Sequence, residues 1–233
     1  MKDTNAVSQF RQPWSVRRIV VTAMLAAITV LLAFTPVGMI PMPPPLPAVT
    51  LVHLPVIVAV LLEGPVVGVS IGFVFGISSL IRAWSSAAVG LTLFFRNPLV
   101  SVVPRMLIPL VVWGVYQLLS RLIKNTKVGD KAVSAVAAAL GALTNTVLCL
   151  GMIVLLYGKD LTEIVNNLIS VGDAGQAYLN NAGAWLVAVV GLPNGIAEVL
   201  VAAILIPIIK IAVEASTKRY KRGKNTKVSS AGS

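Results

Sequence analysis

The chain has 233 residues, of which 57% are hydrophobic and only 12% are charged, and its formal net charge is +11. Soluble domains carry about 25% charged residues, so this composition excludes an ordinary soluble domain and predicts a helical integral membrane protein. With one histidine and one cysteine, the sequence also excludes a conventional zinc site, a cysteine–histidine catalytic pair and an intramolecular disulfide.

Apolar stretches of about 20 residues predict six membrane-spanning helices. In chain order they are residues 19–37, 48–62, 66–82, 99–123, 132–157 and 192–213. The second stretch is short and contains Pro55, and the third follows at once after Glu63-Gly64-Pro65, so we expect these two to form a tight hairpin. Another apolar stretch, residues 185–190, is expected to belong to a folded outer loop, with a longer sixth span as the alternative.

The distribution of charge predicts how these spans are oriented. Lysine and arginine are concentrated before the first span, between the fourth and fifth spans and in the C-terminal tail, whereas the connection between the fifth and sixth spans is net negative. Positive segments favour the cytoplasm, so we predict an all-α membrane protein with six transmembrane helices and both termini cytoplasmic.

This topology divides the chain into three parts. They are a cytoplasmic N-terminal tail at 1–17, a six-helix membrane domain at 18–215 and a basic cytoplasmic tail at 216–233. We expect the basic tail to lie near anionic lipid headgroups of the bilayer. Nucleic acid is not an expected partner, because no interleaved aromatic surface accompanies the positive charge.

The sequence lacks the motifs of common enzymes. It contains neither a Gly-x-Ser-x-Gly nucleophile elbow nor a phosphate-binding P-loop. We therefore expect no enzymatic activity and no resident cofactor or metal. If ATP drives transport through this protein, another subunit must supply the hydrolysis.

The first span carries two alanines four residues apart, Ala23 and Ala27. Small residues at this spacing share one helix face and let another helix approach closely. Two explanations fit the pair: ordinary packing inside the bundle, and docking onto a separate membrane subunit.

The connection after the first span, residues 35–47, is rich in proline and has no charged residue. Proline fixes φ and removes a backbone donor, so this segment cannot form regular helix. The topology places it outside the cell. It is either a rigid connector or an apolar lid over a site that opens outward.

Arg105 is the strongest indication of a binding site, because it lies within the apolar fourth span. A charge in this position costs about 3 kcal/mol or more unless water, a counter-ion or a ligand meets it. Other polar side chains fall at the outer parts of the fourth to sixth spans. They are Asn97, Asn145, Asn194 and Glu198, and the last two lie one helical turn apart.

Two interpretations of these polar residues are open. In the first, Arg105 and Glu198 form a structural ion pair inside the bundle. In the second, the planar fork of Arg105 receives a ligand carboxylate, and Asn145 and Asn194 bind hydroxyl or amide groups. Arg82, Trp84 and Arg96 near the outer mouth are expected to be interfacial anchors, and the alternative is that Arg82 or Arg96 assists Arg105 with a ligand carboxylate. Asn97 precedes Pro98 and suits a helix cap.

Several runs of the sequence resemble the S component of energy-coupling factor (ECF) transporters. The resemblance rests on six spans with cytoplasmic termini, the alanine pair of the first helix, the proline-rich first loop and an ordered set of motifs over residues 16–215. The motifs are Thr50-Leu-Val-His53-Leu-Pro55-Val-Ile, Glu63-Gly64-Pro65-x-x-Gly68, Asn97-Pro98-Leu-Val-Ser101-Val-Val-Pro104-Arg105 and Pro193-Asn194.

The resemblance implies a membrane subunit that captures a small vitamin in an outward-facing pocket at the outer ends of helices four to six. The first loop closes over the pocket. The protein then docks by its first-helix alanines, here Ala23 and Ala27, onto a membrane T component that is carried by two cytoplasmic ATPases. Such a protein is a multi-pass component of the bacterial cell membrane. Asn97, Arg105, Asn145, Asn194 and Glu198 are then the candidate substrate-binding residues.

The identity of the vitamin and two rival functions stay open. The motifs are most similar to the pantothenate branch, and Arg105 suits a carboxylate, but folate, riboflavin, biotin and cobalamin are alternatives because one scaffold serves many ligands. One rival is a stand-alone proton-coupled transporter that uses Glu198, although no internal repeat is visible. The other is a structural membrane protein in which Arg105 and Glu198 only lock helices together.

Overall fold

A computed structural model describes residues 14–40, 49–85, 90–123, 127–170, 178 and 181–230. Helices make up nearly all of its regular structure. They are α1 (Val16–Phe34), α2 (Leu54–Glu63), α3 (Pro65–Ser85), α4 (Pro98–Ser101 and Val103–Leu122, joined at Val102), α5 (Lys127–Ser170) and α6 (Ala182–Trp185 and Leu192–Ser230, joined by a π-helical turn at Leu186–Gly191).

Two short strands follow α1 and form a small hairpin base. They are β1 (Met39–Ile40) and β2 (Val49–Thr50), and they pair antiparallel with Met39 opposite Thr50. A 3₁₀ turn at Pro36–Gly38 leads into β1, so the described part of the proline-rich connection is not regular helix, as predicted. The proposed lid falls mainly on residues 41–48, which lie outside the described residues.

Five helical segments of the described chain are long and apolar enough to cross a membrane, which supports an all-α membrane protein. They are Val16–Phe34, Pro65–Ser85, Pro98–Leu122, Gly129–Asn167 and Ala182–Val213. The second predicted span is shorter than expected, because α2 has only ten residues. At about 1.5 Å per residue it covers roughly half of a 30 Å hydrocarbon core. Six complete spans and cytoplasmic termini therefore stay predictions.

The short helix α2 lies inside the bundle. Residues Leu54 to Val60 are all buried, and they pack against the other membrane helices to form the larger of two apolar clusters. The predicted hairpin with α3 is confirmed: Gly64 joins the two helices with a φ of 91°, a conformation that favours glycine. An apolar helix of this length is more typical of a buried core element than of a complete span.

The fifth helix is longer than the sequence suggested. It runs from Lys127 to Ser170 and bends at Tyr157, where φ is −130° and ψ is 24°. Lys159, Asp160 and Glu163, which we placed in a connecting loop, therefore lie in helix. The apolar run of the sequence ends at about Tyr157, but helical structure resumes after the bend.

The expectation of an outer loop at residues 185–190 is wrong. This stretch forms the end of the first segment of α6 and its π-helical turn, so the sixth helix begins earlier, at Ala182. Trp185 is 1% exposed and Leu186 is fully buried, among apolar residues of α5 and the 3₁₀ segment Gly90–Arg96. These side chains form the smaller apolar cluster, so the run stays helical and packed.

Helices α3 and α4 approach so closely that their backbones touch. A Cβ added at Gly72 would clash with the backbone oxygen of Arg105, and one at Gly76 would lie 2.7 Å from the Cα of Val102. Larger residues at either position would push the helices apart. The two glycines thus set the distance between α3 and the Arg105 stretch of α4.

A buried polar cluster joins α4, α5 and α6 at the end away from Arg105. The Lys210 ammonium donates to both carboxylate oxygens of Asp130 at 2.8 Å, to the Tyr116 hydroxyl at 3.0 Å and to the Ser134 hydroxyl at 3.1 Å. Tyr116 also donates to Asp130 at 2.7 Å. We placed Asp130 in the connection before the fifth span, whereas it lies in the first turn of α5.

Candidate functional site

A cavity of about 370 Å³ is lined by residues of both apolar clusters, among them Phe75 of the larger and Ile153 of the smaller. Residues from α3, α4, α5, α6, the Gly90–Arg96 segment and both strands of the hairpin base line it. Small-molecule sites typically measure about 300–1,000 Å³ and combine apolar walls with a few polar groups. This cavity has the size and the lining of such a site.

Arg105 lines the cavity and is 6% exposed. Its Nη1 donates to the carbonyl oxygen of Val100 at 2.7 Å, and its guanidinium carbon lies 5.3 Å from the ring centre of Phe75 and 5.0 Å from that of Phe95. Its buried Nε makes no hydrogen bond to the protein. A guanidinium has five N–H donors, so this one keeps donors for an incoming group.

Glu198 lines the same cavity but does not pair with Arg105. Its Oε1 accepts hydrogen bonds from the backbone N–H of Thr50 at 3.0 Å and from the Thr50 hydroxyl at 2.7 Å. Its Oε2 accepts from the Thr146 hydroxyl at 3.1 Å. The interpretation of Arg105 and Glu198 as a structural ion pair is therefore wrong for this structure, because no contact joins the two charged groups.

The two predicted asparagines also line the cavity. Asn145 on α5 is 5% exposed and Asn194 on α6 is 7% exposed, so both amides sit in a nearly dry environment. Cys149, one helical turn after Asn145, lines the cavity too, and its thiol donates to the Asn145 Oδ1 at 3.6 Å. Side-chain amides both donate and accept hydrogen bonds, which suits hydroxyl and amide groups of a ligand.

Asn97 is not among the residues that line the cavity. Its Oδ1 accepts from the backbone N–H of Leu99 at 2.9 Å, which confirms the predicted cap of α4. Its Nδ2 donates to the Tyr157 hydroxyl at 2.9 Å, at the bend of α5. The polar atoms of Asn97 are thus used to join α4 to α5, beside the site rather than in it.

Arg82 lines the cavity as a second guanidinium, which is the position that its alternative role beside Arg105 requires. Its Nη1 donates to the carbonyl oxygen of Ala33 near the end of α1 at 2.6 Å. Arg96 and Trp84 lie outside the lining and contact each other: the guanidinium carbon is 5.2 Å from the Trp84 ring centre, and the indole donates to the Arg96 carbonyl at 3.2 Å.

Sequence reasoning missed most of the apolar lining. Phe75 and Phe95 contribute the aromatic walls, and neither carried a motif that marked it. Thr146 and Cys149 had a usable signal, because they fall within one turn of Asn145 on α5. The part that the hairpin base contributes, through Met39 and Thr50, required the tertiary structure.

Comparison with known proteins identifies the family. A sequence model described as "ECF transporter, substrate-specific component" matches residues 17–210, which is most of the chain. The chain belongs to this family. It is therefore a multi-pass plasma-membrane protein that serves a vitamin transporter as its substrate-binding component, not an enzyme.

One curated relative has a named substrate. The chain is 27% identical over 192 residues to the pantothenate transporter PanT of Leuconostoc mesenteroides subsp. mesenteroides, which covers 81% of this chain and 87% of that protein. Ala23 and Ala27, the two residues predicted to dock onto a T component, are both exposed on α1. The buried side of the same helix carries Arg18, Thr29 and Ala33.

Proposed function

We propose that this ECF substrate-specific component binds pantothenate in the cavity around Arg105 and carries it into the cell. The observation that supports this proposal most directly is a buried guanidinium that lines the cavity, whose Nε makes no hydrogen bond and which has no carboxylate partner among the described residues. Pantothenate carries one carboxylate, one amide and two hydroxyl groups. The similarity to PanT supports the same substrate.

The remaining walls favour a small, flexible, polar acid. Asn145 and Asn194 would meet the amide and hydroxyl groups of the ligand. Asn97 and Glu198 would support the site, because the hydrogen bonds described above join parts of the protein to one another through them. The aromatic residues of the described lining are Phe75 and Phe95, without a Trp or Tyr. Two phenylalanines offer few aromatic faces on which a flavin or a pterin ring could stack. Cobalamin, with its corrin ring, is much larger than a cavity of this size.

The proposed transport cycle needs other subunits. The protein captures the vitamin from outside, docks through α1 onto a membrane T component with two ATPases, and releases the vitamin inside. ATP hydrolysis is assigned to those ATPases because this chain has no P-loop. The exposed alanine face of α1 supports docking, since small side chains let a partner helix approach closely.

Pantothenate is expected to stabilise the purified chain against heat, and other vitamins are not. A ligand present at 1,000 times its Kd stabilises the folded state by about 4 kcal/mol, which gives a clear rise in Tm. The measurement is thermal unfolding in detergent with pantothenate, riboflavin, biotin, folate, thiamine and cobalamin in turn. Panthenol, which has an alcohol in place of the carboxylate, is the matched control and should give no rise.

Each other result of this experiment has a defined meaning. A rise with another vitamin alone would overturn pantothenate as the substrate. Equal rises with pantothenate and panthenol would contradict the role of Arg105 as carboxylate partner. No rise with any vitamin would count against substrate binding by the isolated chain.

Larger side chains at the alanine face are expected to block docking and leave ligand binding intact. We expect Ala23→Leu with Ala27→Leu to abolish co-purification with the T component and its ATPases, because the added bulk keeps the helices apart. Ala132→Leu is the matched control, since Ala132 is exposed on α5. Normal co-purification of the double variant would contradict docking through this face.

A further inference from the structure

Glu198 holds the hairpin base against two membrane helices. Its two carboxylate oxygens accept three hydrogen bonds, two from Thr50 on β2 and one from Thr146 on α5, while Glu198 itself lies on α6. Three separate segments of the cavity wall therefore meet at one carboxylate. The side chain is 4% exposed, so water competes little for these bonds.

Backbone hydrogen bonds also hold the described residues of the hairpin base. Thr50 pairs with Met39 across the two strands, and the backbone N–H of Leu51 donates to the Gly38 carbonyl at 2.9 Å. Strands of two residues have little stability of their own. Met39 and Thr50 both line the cavity, so a shift of this base would move one of its walls.

We propose that Glu198 is a positioning residue: its carboxylate fixes the hairpin base to α5 and α6, and so keeps one wall of the cavity closed around the ligand. The identity of the ligand in this proposal rests on the proposed function. The contacts of Glu198 with Thr50 and Thr146 do not depend on it. It differs from a direct ligand contact, because Thr50 and Thr146 already take three of the roughly four acceptor sites of the carboxylate.

The sign of the effect on ligand binding separates the two roles. If Glu198 faced an anionic ligand, Glu198→Gln would remove a repulsion, slow dissociation and tighten binding. A positioning role predicts the opposite, because the amide cannot accept from both threonine side chains in the same way. We expect Glu198→Gln and Thr50→Val each to speed pantothenate dissociation by about tenfold, as for a lost buried hydrogen bond to a charged group.

The single cysteine of the chain gives a readout that needs no ligand. Cys149 lines the cavity and is 5% exposed, so its reaction with a methanethiosulfonate reagent reports how far the wall is open. In ligand-free protein we expect Thr50→Val, Thr146→Val and Glu198→Gln to raise the labelling rate about tenfold. Thr50→Ser keeps the hydroxyl donor and should label at the rate of the unmodified protein.

Thr144→Val is the matched control for these variants. Thr144 lies two residues from Thr146 on α5, outside the lining, and its hydroxyl donates to the Leu140 carbonyl at 2.6 Å. Both its labelling rate and its ligand dissociation should match those of the unmodified protein. A variant that does not fold is recognised by its gel-filtration profile, and the remaining threonine variants then carry the test.

The results distinguish this inference from the choice of substrate. If the Glu198 and Thr50 variants label faster but the unmodified protein does not bind pantothenate, the positioning role stands and the assignment of pantothenate as the substrate is overturned. Unchanged labelling in folded Thr50→Val and Glu198→Gln would overturn the positioning role, whatever the ligand. Tighter pantothenate binding by Glu198→Gln would do so as well.

Discussion

Replacement of Arg105 by alanine is expected to weaken pantothenate binding by about 2–5 kcal/mol, which is roughly 30-fold to several-thousand-fold in Kd. The loss is large because Arg105 is 6% exposed, so a ligand carboxylate buried beside it would lose its charged donor without full access to water in exchange. Arg105→Lys should recover only part of it, since a point-like ammonium lacks the planar fork that meets two carboxylate oxygens. Equilibrium binding of radiolabelled pantothenate to the purified variants is the measurement.

Two further variants serve as a second test of the Arg105 charge and as a control. Arg105→Gln retains a hydrogen-bond donor near the Val100 carbonyl, so it tests the charge if the alanine variant does not fold. Arg96→Ala removes a guanidinium that lies outside the cavity and contacts Trp84, so its Kd should stay within a few-fold of the original. A folded Arg105→Gln protein that binds pantothenate normally would refute the site assignment.

Loss of Asp130 is expected to destabilise the fold more than any other single change in the buried polar cluster. The Lys210 side chain is 8% exposed, and without its carboxylate partner it becomes an uncompensated charge inside the bundle. Breaking a fully buried ion pair costs about 3–5 kcal/mol, and the partial exposure of Asp130 lowers the expected cost here to about 1–3 kcal/mol. We therefore expect Asp130→Asn to lower the Tm in detergent strongly, without a direct effect on ligand contacts.

The order of the variants tests the cause. Lys210→Met should cost less than Asp130→Asn, because the Asp130 side chain is 37% exposed and also accepts from Tyr116. The double variant, which removes both charges, should be more stable than Asp130→Asn alone. Lys131→Met is the control, since Lys131 is an exposed neighbour. A double variant no better than Asp130→Asn would show that the buried charge is not what destabilises the protein.

The sequence predicted the helices well where hydropathy decides the outcome. The hairpin at Glu63-Gly64-Pro65 and the cap at Asn97 follow from local rules. A glycine allows a positive φ, and an asparagine before a proline caps a helix, so each feature depends on only a few neighbouring residues. Hydropathy could not show that α2 stops after ten residues inside the bundle. It also could not show that helix resumes beyond the bend at Tyr157, since a charged stretch is compatible with a helix as well as with a loop.

The site could be predicted only in part. Arg105, Asn145 and Asn194 stand out because polar groups in an apolar span are costly, and they do line one cavity. Which atoms they face depends on the rotation and packing of whole helices, which spacing alone does not fix. For this reason the sequence suggested a pair of Arg105 with Glu198, whereas Glu198 contacts Thr50 and Thr146.

Lys210 illustrates a different limit. It falls within the sixth predicted span, where a lysine three residues from the end is naturally taken for a flanking charge. The structure buries it and surrounds it with acceptors from α4 and α5. Only the meeting of three helices reveals that Asp130, far away in the sequence, is its partner.

The contact of α3 with α4 through Gly72 and Gly76 also limits how new specificities can arise in this scaffold. Because the backbone oxygen of Arg105 lies directly against Gly72, no side chain can be added there without moving the guanidinium. The position of Arg105 is therefore fixed by the backbone. A change of ligand specificity has to come from lining residues that can be replaced without moving a helix. Asn145, Asn194 and Phe95 are such positions, and directed evolution toward another acidic vitamin would best begin with them.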